Sequence, residues 1–238
     1  MKILVVSDLH IDFHKDSGAS LFDSLAPADV LIIAGDLGEH LIVEHGLRLA
    51  CAKYNKVIYV LGNHEYFGSD FKYVSCLMIG LEKTLSNLRW LENKRIEIDG
   101  QGFIGGTLWF ERTTHSDYFS DKMSDFAQIK NLNLAAYNKH EETKLFIKNN
   151  VKIGDIIITH HLPSYKCVDE QYKMDAMNIY FASHMDKVVE DSGAKIWANG
   201  HTHSSYDFNI GQTRMLCNPF GYAHQPNPDF KENLIIEV

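Results

Sequence analysis

The sequence predicts an α/β fold built on mixed β-sheets, and two observations predict it. Short apolar runs rich in Val and Ile recur without polar alternation, the pattern of strands buried on both faces. Longer stretches with helical spacing lie between them, the pattern of crossover helices. The runs are KILVVSDLH from Lys2, ADVLIIAGDLG from Ala28, KVIYVLGNHE from Lys56, GDIIITHHLPS from Gly154 and AKIWANGHTH from Ala194. Helical spacing is read over residues 40–54, 71–87, 137–150 and 185–192. Two segments break the rhythm: RWLENKRIEIDGQGFIGGTLWF, with a turn at Asp99-Gly100, and SSYDFNIGQTRMLCNPF, with a turn at Ile210-Gly211. Both read as antiparallel hairpins, which makes the sheets mixed. No internal repeat and no Pro/Ser/Gly linker interrupts the chain, so residues 1–238 read as one domain.

Composition narrows the function. Apolar residues make up 45% and charged residues 23%, ordinary for a globular protein that buries a core, and no segment reads as disordered. The net charge of −8 repels polyanions, so a nucleic-acid-coating role is disfavoured unless a local cation reverses the field. A bound metal would be such a source. Cys51, Cys76, Cys167 and Cys217 lie far apart, which suggests free thiols rather than a zinc knuckle or a disulfide framework. Lys2 is followed only by ILVV before Ser7 and Asp8, too short for a signal-peptide core, and no run of about 18 apolar residues could span a membrane. The expectation is a cytoplasmic protein.

The strand ends carry the chemistry. In open α/β sheets ligands bind outside the carboxyl ends of the strands, and each of the five runs places metal-competent side chains there. The first supplies Asp8 and His10, the second Asp36, the third Asn63 and His64, the fourth His160 and His161, the fifth His201 and His203. Any one of these alone reads as a turn former, a helix cap or a hydrogen-bonded loop histidine. Independent turn formers would not supply an oxygen-plus-imidazole set at every end, so the joint pattern points to metal. With no thiolate in the set, Mn, Fe, Co, Ni or catalytic Zn fit better than structural zinc. Asp8, His10, Asp36, Asn63, His160, His201 and His203 are too many ligands for one small ion that keeps an open position, so two ions are expected. Asp36, central in the series, is the candidate bridge. Gly35, Gly62 and Gly200 would permit sharp turns and close backbone approach beside the cluster.

The ordered series D8-x-H10, G35-D36, G62-N63-H64-E65, a strand ending in His160, and G200-H201-x-H203 resembles the calcineurin-like metallophosphoesterase superfamily, over most of the chain. The resemblance implies a four-layer α/β/β/α sandwich of two mixed sheets. It implies one metal held by Asp8, His10, Asp36 and His203, a second held by Asp36, Asn63, His160 and His201, and a non-ligand catalytic role for His64. His160-His161 offers two imidazoles for one ligand position. In relatives the ligand directly ends the strand, which favours His160 and leaves His161 for the pocket wall.

Two cations would bind phosphate oxygens, lower the pKa of a bridging water to form hydroxide, and clamp an in-line displacement at phosphorus, with His64 protonating the leaving oxygen or orienting the phosphate. The implied substrate is a small phosphomonoester or phosphodiester, nucleotides among the candidates, with neither long nucleic acid nor membrane as partner. Glu39, Glu65 and Glu111 would add to the repulsion of a polyanion if they face the site. The segments TLWFERTTHSDYFSDKMSDF and NPFGYAHQP lie outside the motifs and are the expected pocket-shaping loops, with Trp109, Tyr222 and His224 as candidate contacts. A nuclease of the same superfamily shares the motifs, but no basic face or extra domain accompanies them. A non-catalytic scaffold on this fold would be expected to lose His64 or ligands, and this chain keeps all of them.

Overall fold

The computed structural model describes residues 1–238. Its strands are β1 (Lys2–Val6), β2 (Val30–Ala34), β3 (Lys56–Val60), β4 (Leu88–Trp90), β5 (Lys94–Ile98), β6 (Gln101–Gly106), β7 (Ile156–Thr159), β8 (Ile196–Asn199), β9 (Tyr206–Ile210), β10 (Thr213–Cys217), β11 (Gly221–Tyr222), β12 (Gln225–Pro226) and β13 (Ile235–Glu237). The α-helices are α1 (Ala19–Ser24), α2 (Val43–Lys53), α3 (Phe71–Thr84), α4 (Ser116–Phe119), α5 (Ser124–Gln128), α6 (Leu132–Asn150) and α7 (Asp186–Asp191). One sheet runs β13-β1-β2-β3-β4 and a second runs β5-β6-β7-β8-β10-β9. Both are mixed: β1 to β4 are mutually parallel with β13 antiparallel at the edge, and β6, β7, β8 and β10 are parallel between antiparallel β5 and β9.

Alternate side chains of the same runs serve two cores, which is why the sequence shows no polar alternation. Ile3, Val5, Ile32 and Ile58 of the first sheet pack against Phe103, Ile156, Ile158, Ala198 and Leu216 of the second, face to face. Leu4, Val6, Leu31, Ile33, Val57 and Tyr59 turn outward under Phe22 of α1, Leu47 of α2 and Val74 and Met78 of α3. On the far side Ile104, Ile157, Trp197 and Met215 pack under Ile147 of α6 and Val189 of α7. The result is the four-layer α/β/β/α sandwich.

The two expected hairpins form as β5–β6 and β9–β10. Asp99 (φ 49°) and Gly100 (φ 84°) both take the left-handed backbone of a type I′ turn, whose twist matches that of the flanking strands. The first hairpin segment begins later than the sequence suggests. Its opening residues form β4, which completes the first sheet with Leu88 opposite Val57, and the chain then crosses to the second sheet at β5. β13 gave no sequence signal because a three-residue edge strand is too short for a periodicity.

Candidate metal centre

All five predicted strand ends converge on one place. β1, β2 and β3 deliver Asp8 and His10, Asp36, and Asn63 and His64; β7 and β8 of the other sheet deliver His160, His201 and His203. The turns are abrupt: Asp8 (φ 51°), His10 (φ 41°), Asp36 (φ 52°), His201 (φ 72°) and His203 (φ 51°) all hold left-handed backbone, uncommon for residues other than glycine. Close approach needs all three glycines, and a Cβ on Gly35 would lie 2.3 Å from His160 Nδ1. A Cβ on Gly62 would lie 2.0 Å from Asp36 Oδ1, and one on Gly200 would lie 2.6 Å from Asp8 Oδ2.

Two donor groups result, with Asp36 common to both. Carboxylate and imidazole atoms of Asp8, His10, Asp36 and His203 lie within 4.8 Å of one another, as do those of Asp36, His160 and His201. In the first, His10 Nε2 is 3.0 Å from His203 Nε2 and 3.8 Å from Asp36 Oδ2, and His203 Nε2 is 3.5 Å from Asp8 Oδ1. In the second, His160 Nε2 is 3.1 Å from Asn63 Oδ1, 3.2 Å from His201 Nδ1 and 3.3 Å from Asp36 Oδ2. Backbone donors orient the acids: His201 N–H donates to both Asp8 oxygens (2.9 and 3.1 Å), and His64 N–H donates to Asp36 Oδ1 (3.0 Å).

The chemistry of these donors fits a bound cation. His160 Nδ1 donates to the Ala34 carbonyl (2.9 Å), so in the neutral ring Nε2 is a lone pair facing the amide oxygen of Asn63 and the carboxylate of Asp36. Three acceptors in a buried cluster are reconciled by positive charge between them. A proton on Nε2 supplies that charge as a cation would: burial opposes it on His160, but Asp36 outweighs burial and holds the imidazole up at about 10, so a ligating cation takes the place of that proton. Burial likewise opposes ionisation of Asp36, and the imidazoles of His160, His64 and His10 overcome it to hold the carboxyl well below its ordinary value. Burial pushes His10 down to about 3 and His201 well below the usual histidine range, so both rings stay neutral, the form that ligates metal.

Above these groups opens a cleft of about 760 Å³. Asp36, Asn63, His64, His201 and His203 reach it; Asp125, Phe181 and Tyr222 are among its walls. His64 Nε2 lies 4.0 Å from Asp36 Oδ2 and 3.3 Å from the Tyr222 hydroxyl, with its ring stacked on Phe67.

The family model for calcineurin-like phosphoesterases matches residues 1–205. The chain belongs to that family. This phosphoesterase is 27% identical over 263 residues to an uncharacterized protein of Acanthamoeba polyphaga mimivirus, covering 95% of the chain and 94% of the viral protein. It also resembles the phosphopantetheinyl hydrolase of Mycobacterium tuberculosis, with a TM-score of 0.77 at 14% identity over 94% of this chain and 90% of that one. A dimetal phosphatase of Danio rerio matches with a TM-score of 0.59 at 11% identity, over 97% of this chain and 90% of that one. At such identities the likeness to the two solved structures is one of fold. The family assigns the reaction class: the chain is a metal-dependent hydrolase of phosphoester bonds, and its buried Asp and His groups are able to hold metal.

Of the side chains expected to line the phosphoesterase's pocket, Tyr222 does so and Trp109, His161 and His224 do not. Trp109 is wholly buried among Tyr66, Phe71, Phe110 and His161, because its aromatic surface is worth more in the core than on a loop. His161, also wholly buried, turns Nδ1 to the Thr107 carbonyl (3.3 Å) and lies tilted against the His201 ring, outside the cleft lining. His224 stacks on Tyr222 outside the lining. Glu65 does not face the site as a repelling charge: it is buried and binds Gly62 N–H (2.6 Å), Leu37 N–H (2.7 Å) and the Tyr59 hydroxyl (2.6 Å), which ties the β2 and β3 turns together. Glu111 pairs with His184. The sequence reading missed the segment after β7, where Val168, Tyr172, Met177, Asn178 and Phe181 form one wall. Short 3-10 turns build it, and these leave no periodicity to read.

Proposed function

We propose that this phosphoesterase hydrolyses a small phosphomonoester or phosphodiester with two bound cations, one held by Asp8, His10, Asp36 and His203 and the other by Asp36, Asn63, His160 and His201. The observation that carries the reading is the single carboxylate of Asp36 shared between two buried donor groups at the floor of a cleft. Mn, Fe, Co, Ni or Zn suits these ligands. Bound there, two ions would supply Lewis acidity toward phosphoryl oxygens and an activated water as nucleophile.

The protein's own side chains then need only position and protonate. His64 reaches the cleft beside Asp36 with Nε2 within 3.3 Å of the Tyr222 hydroxyl, placed to donate a proton to the departing oxygen. Tyr222 stacks on His10 and holds the His64 ring from the open side. The cleft volume of about 760 Å³ suits a small molecule. Asp169, Asp175 and Asp229 line it with Lys122 as the one lysine, which supports a small ester over a long polyanion.

The test is hydrolysis of p-nitrophenyl phosphate, bis(p-nitrophenyl) phosphate and single-stranded DNA by Mn²⁺-loaded protein. Turnover of one or both nitrophenyl esters and none of the DNA is expected. Inactivity toward all three would sink the proposal, and preferential cleavage of DNA would replace the small substrate with a nucleic acid.

A further inference from the structure

The loop ahead of α6 sends one buried acid into the site from outside the strand-end series. Asp125, in the first turn of α5, has no exposed surface, and its Oδ1 accepts from Asn63 Nδ2 at 3.0 Å. Its segment is fastened to the chain that follows Asn63: Gly68 N–H donates to the Gln128 carbonyl (2.9 Å) and Lys130 N–H to the Ser69 carbonyl (2.9 Å). The acid and the amide are therefore held against each other by backbone as well as by their own hydrogen bond.

The pairing settles an ambiguity that the strand ends leave open. An Asn amide can present either its oxygen or its nitrogen to a neighbour, and only the oxygen binds metal. Opposite Asn63 stands His160 Nε2, which in the neutral ring that ligates metal is a lone pair, because Nδ1 is committed to the Ala34 carbonyl. With no other constraint, the amide would turn its N–H₂ to that lone pair, and one internal hydrogen bond would consume two ligand atoms. Asp125 removes this option, because its carboxylate accepts from the N–H₂ and, when ionised, has no hydrogen to donate to the oxygen.

We infer that Asp125 is a positioning residue that locks the Asn63 amide with its oxygen turned toward His160 and the second cation position, keeping both ligand atoms available. The inference rests on the two-cation reading of the site. It also gives a function to part of the segment between β6 and α6 that lies outside the family's strand-end motifs.

The experiment is Mn²⁺ titration by calorimetry, with metal content after dialysis, on the full chain carrying Asp125→Ala or Asp125→Asn. Wild type is expected to take two ions. Asp125→Ala should weaken one of the two by roughly 10 to 100-fold, the usual effect of losing a group that orients a ligand, and leave the other unchanged. Asp125→Asn can face Asn63 with its own N–H₂ as well as with its oxygen, so it frees the amide to turn and should weaken the same ion by a smaller factor than the alanine variant does. Should the alanine variant fail to fold by circular dichroism, the near-isosteric Asp125→Leu carries the same expectation. Wild-type affinity for both ions in the alanine or leucine variant would overturn the inference while the two-cation reading stood. Equal weakening of both ions in the alanine variant would also overturn it, by showing that the lost charge and not the Asn63 amide matters. A wild type that binds fewer than two ions would overturn the reading and the inference together.

Discussion

His64 and Asp36 approach to 4.0 Å at Nε2 and Oδ2, yet their replacements should fail in different ways. His64 belongs to neither donor group, so His64→Ala is expected to cut turnover by roughly 10² to 10⁴-fold, the scale of lost general-acid help, with metal content near wild type. Asp36 belongs to both, so Asp36→Asn is expected to empty both positions. Metal analysis beside kcat separates the two, and metal lost in step with activity in His64→Ala would withdraw its non-ligand role. The groups that mattered at this scale were legible where the sequence marks them twice, by type and by position: Asp8, Asp36 and His160 each follow a Val/Ile run. Asp125 carries only the first mark. It sits in α5, a helix of five residues too short to show a periodicity, and its partner Asn63 lies 62 residues away. Trp109 misled for the opposite reason, since an aromatic in a predicted loop reads as a pocket wall until its neighbours Tyr66, Phe71 and His161 place it in the core.

The working elements are the turns that end β1, β2, β3, β7 and β8. Five of their non-glycine residues hold left-handed backbone, each at a cost of order 1–3 kcal/mol, and the strands on either side must sustain it. Those strands are buried on both faces, where each large aliphatic side chain contributes roughly 1.5–3 kcal/mol, so the framework outweighs the strain. The strands themselves were legible because two-sided burial writes unbroken Val/Ile runs. The assignment of β4 to the first sheet and of β5 to the second was not, because local pattern does not say which sheet a strand joins. The close packing of these turns can be tested at Gly62, whose Cβ would lie 2.0 Å from Asp36 Oδ1 and 2.7 Å from Asp36 N. Gly62→Ala must displace that carboxylate, and calorimetric Mn²⁺ titration is expected to show both ions weakened by at least about tenfold, the scale at which misplaced ligands and their supports act. Unchanged affinity in a folded Gly62→Ala protein would mean that the Asp36 turn yields without losing its ligand geometry.

At the scale of the molecule the site joins the two halves of the sandwich. Asp8, His10, Asp36 and Asn63 come from the sheet that contains β1 to β3, whereas His160, His201 and His203 come from the sheet that contains β7 and β8. Contacts already cross between them: His160 Nδ1 to the Ala34 carbonyl at 2.9 Å, and His201 N–H to Asp8 Oδ1 at 2.9 Å. Each proposed cation has ligands from both sheets, so its loss on unfolding is tied to separation of the whole sandwich and not to the fraying of one turn. Binding to the native state alone stabilises it by RT ln(1 + [L]/Kd), about 4 kcal/mol for one site at a thousandfold excess over Kd. For a chain of this size 1 kcal/mol moves the midpoint by roughly 2–4 °C, so saturating Mn²⁺ should raise Tm by about 8 °C or more, and EDTA should reverse it. The same rise should vanish in Asp36→Asn, because the carboxylate common to both donor groups is gone, and persist in His64→Ala, whose side chain joins neither group. Scanning calorimetry with and without metal makes the comparison. A Tm that ignores saturating Mn²⁺ in the wild type would break the link between metal and sandwich, and a rise that survives Asp36→Asn would place the stabilising ion elsewhere on the molecule.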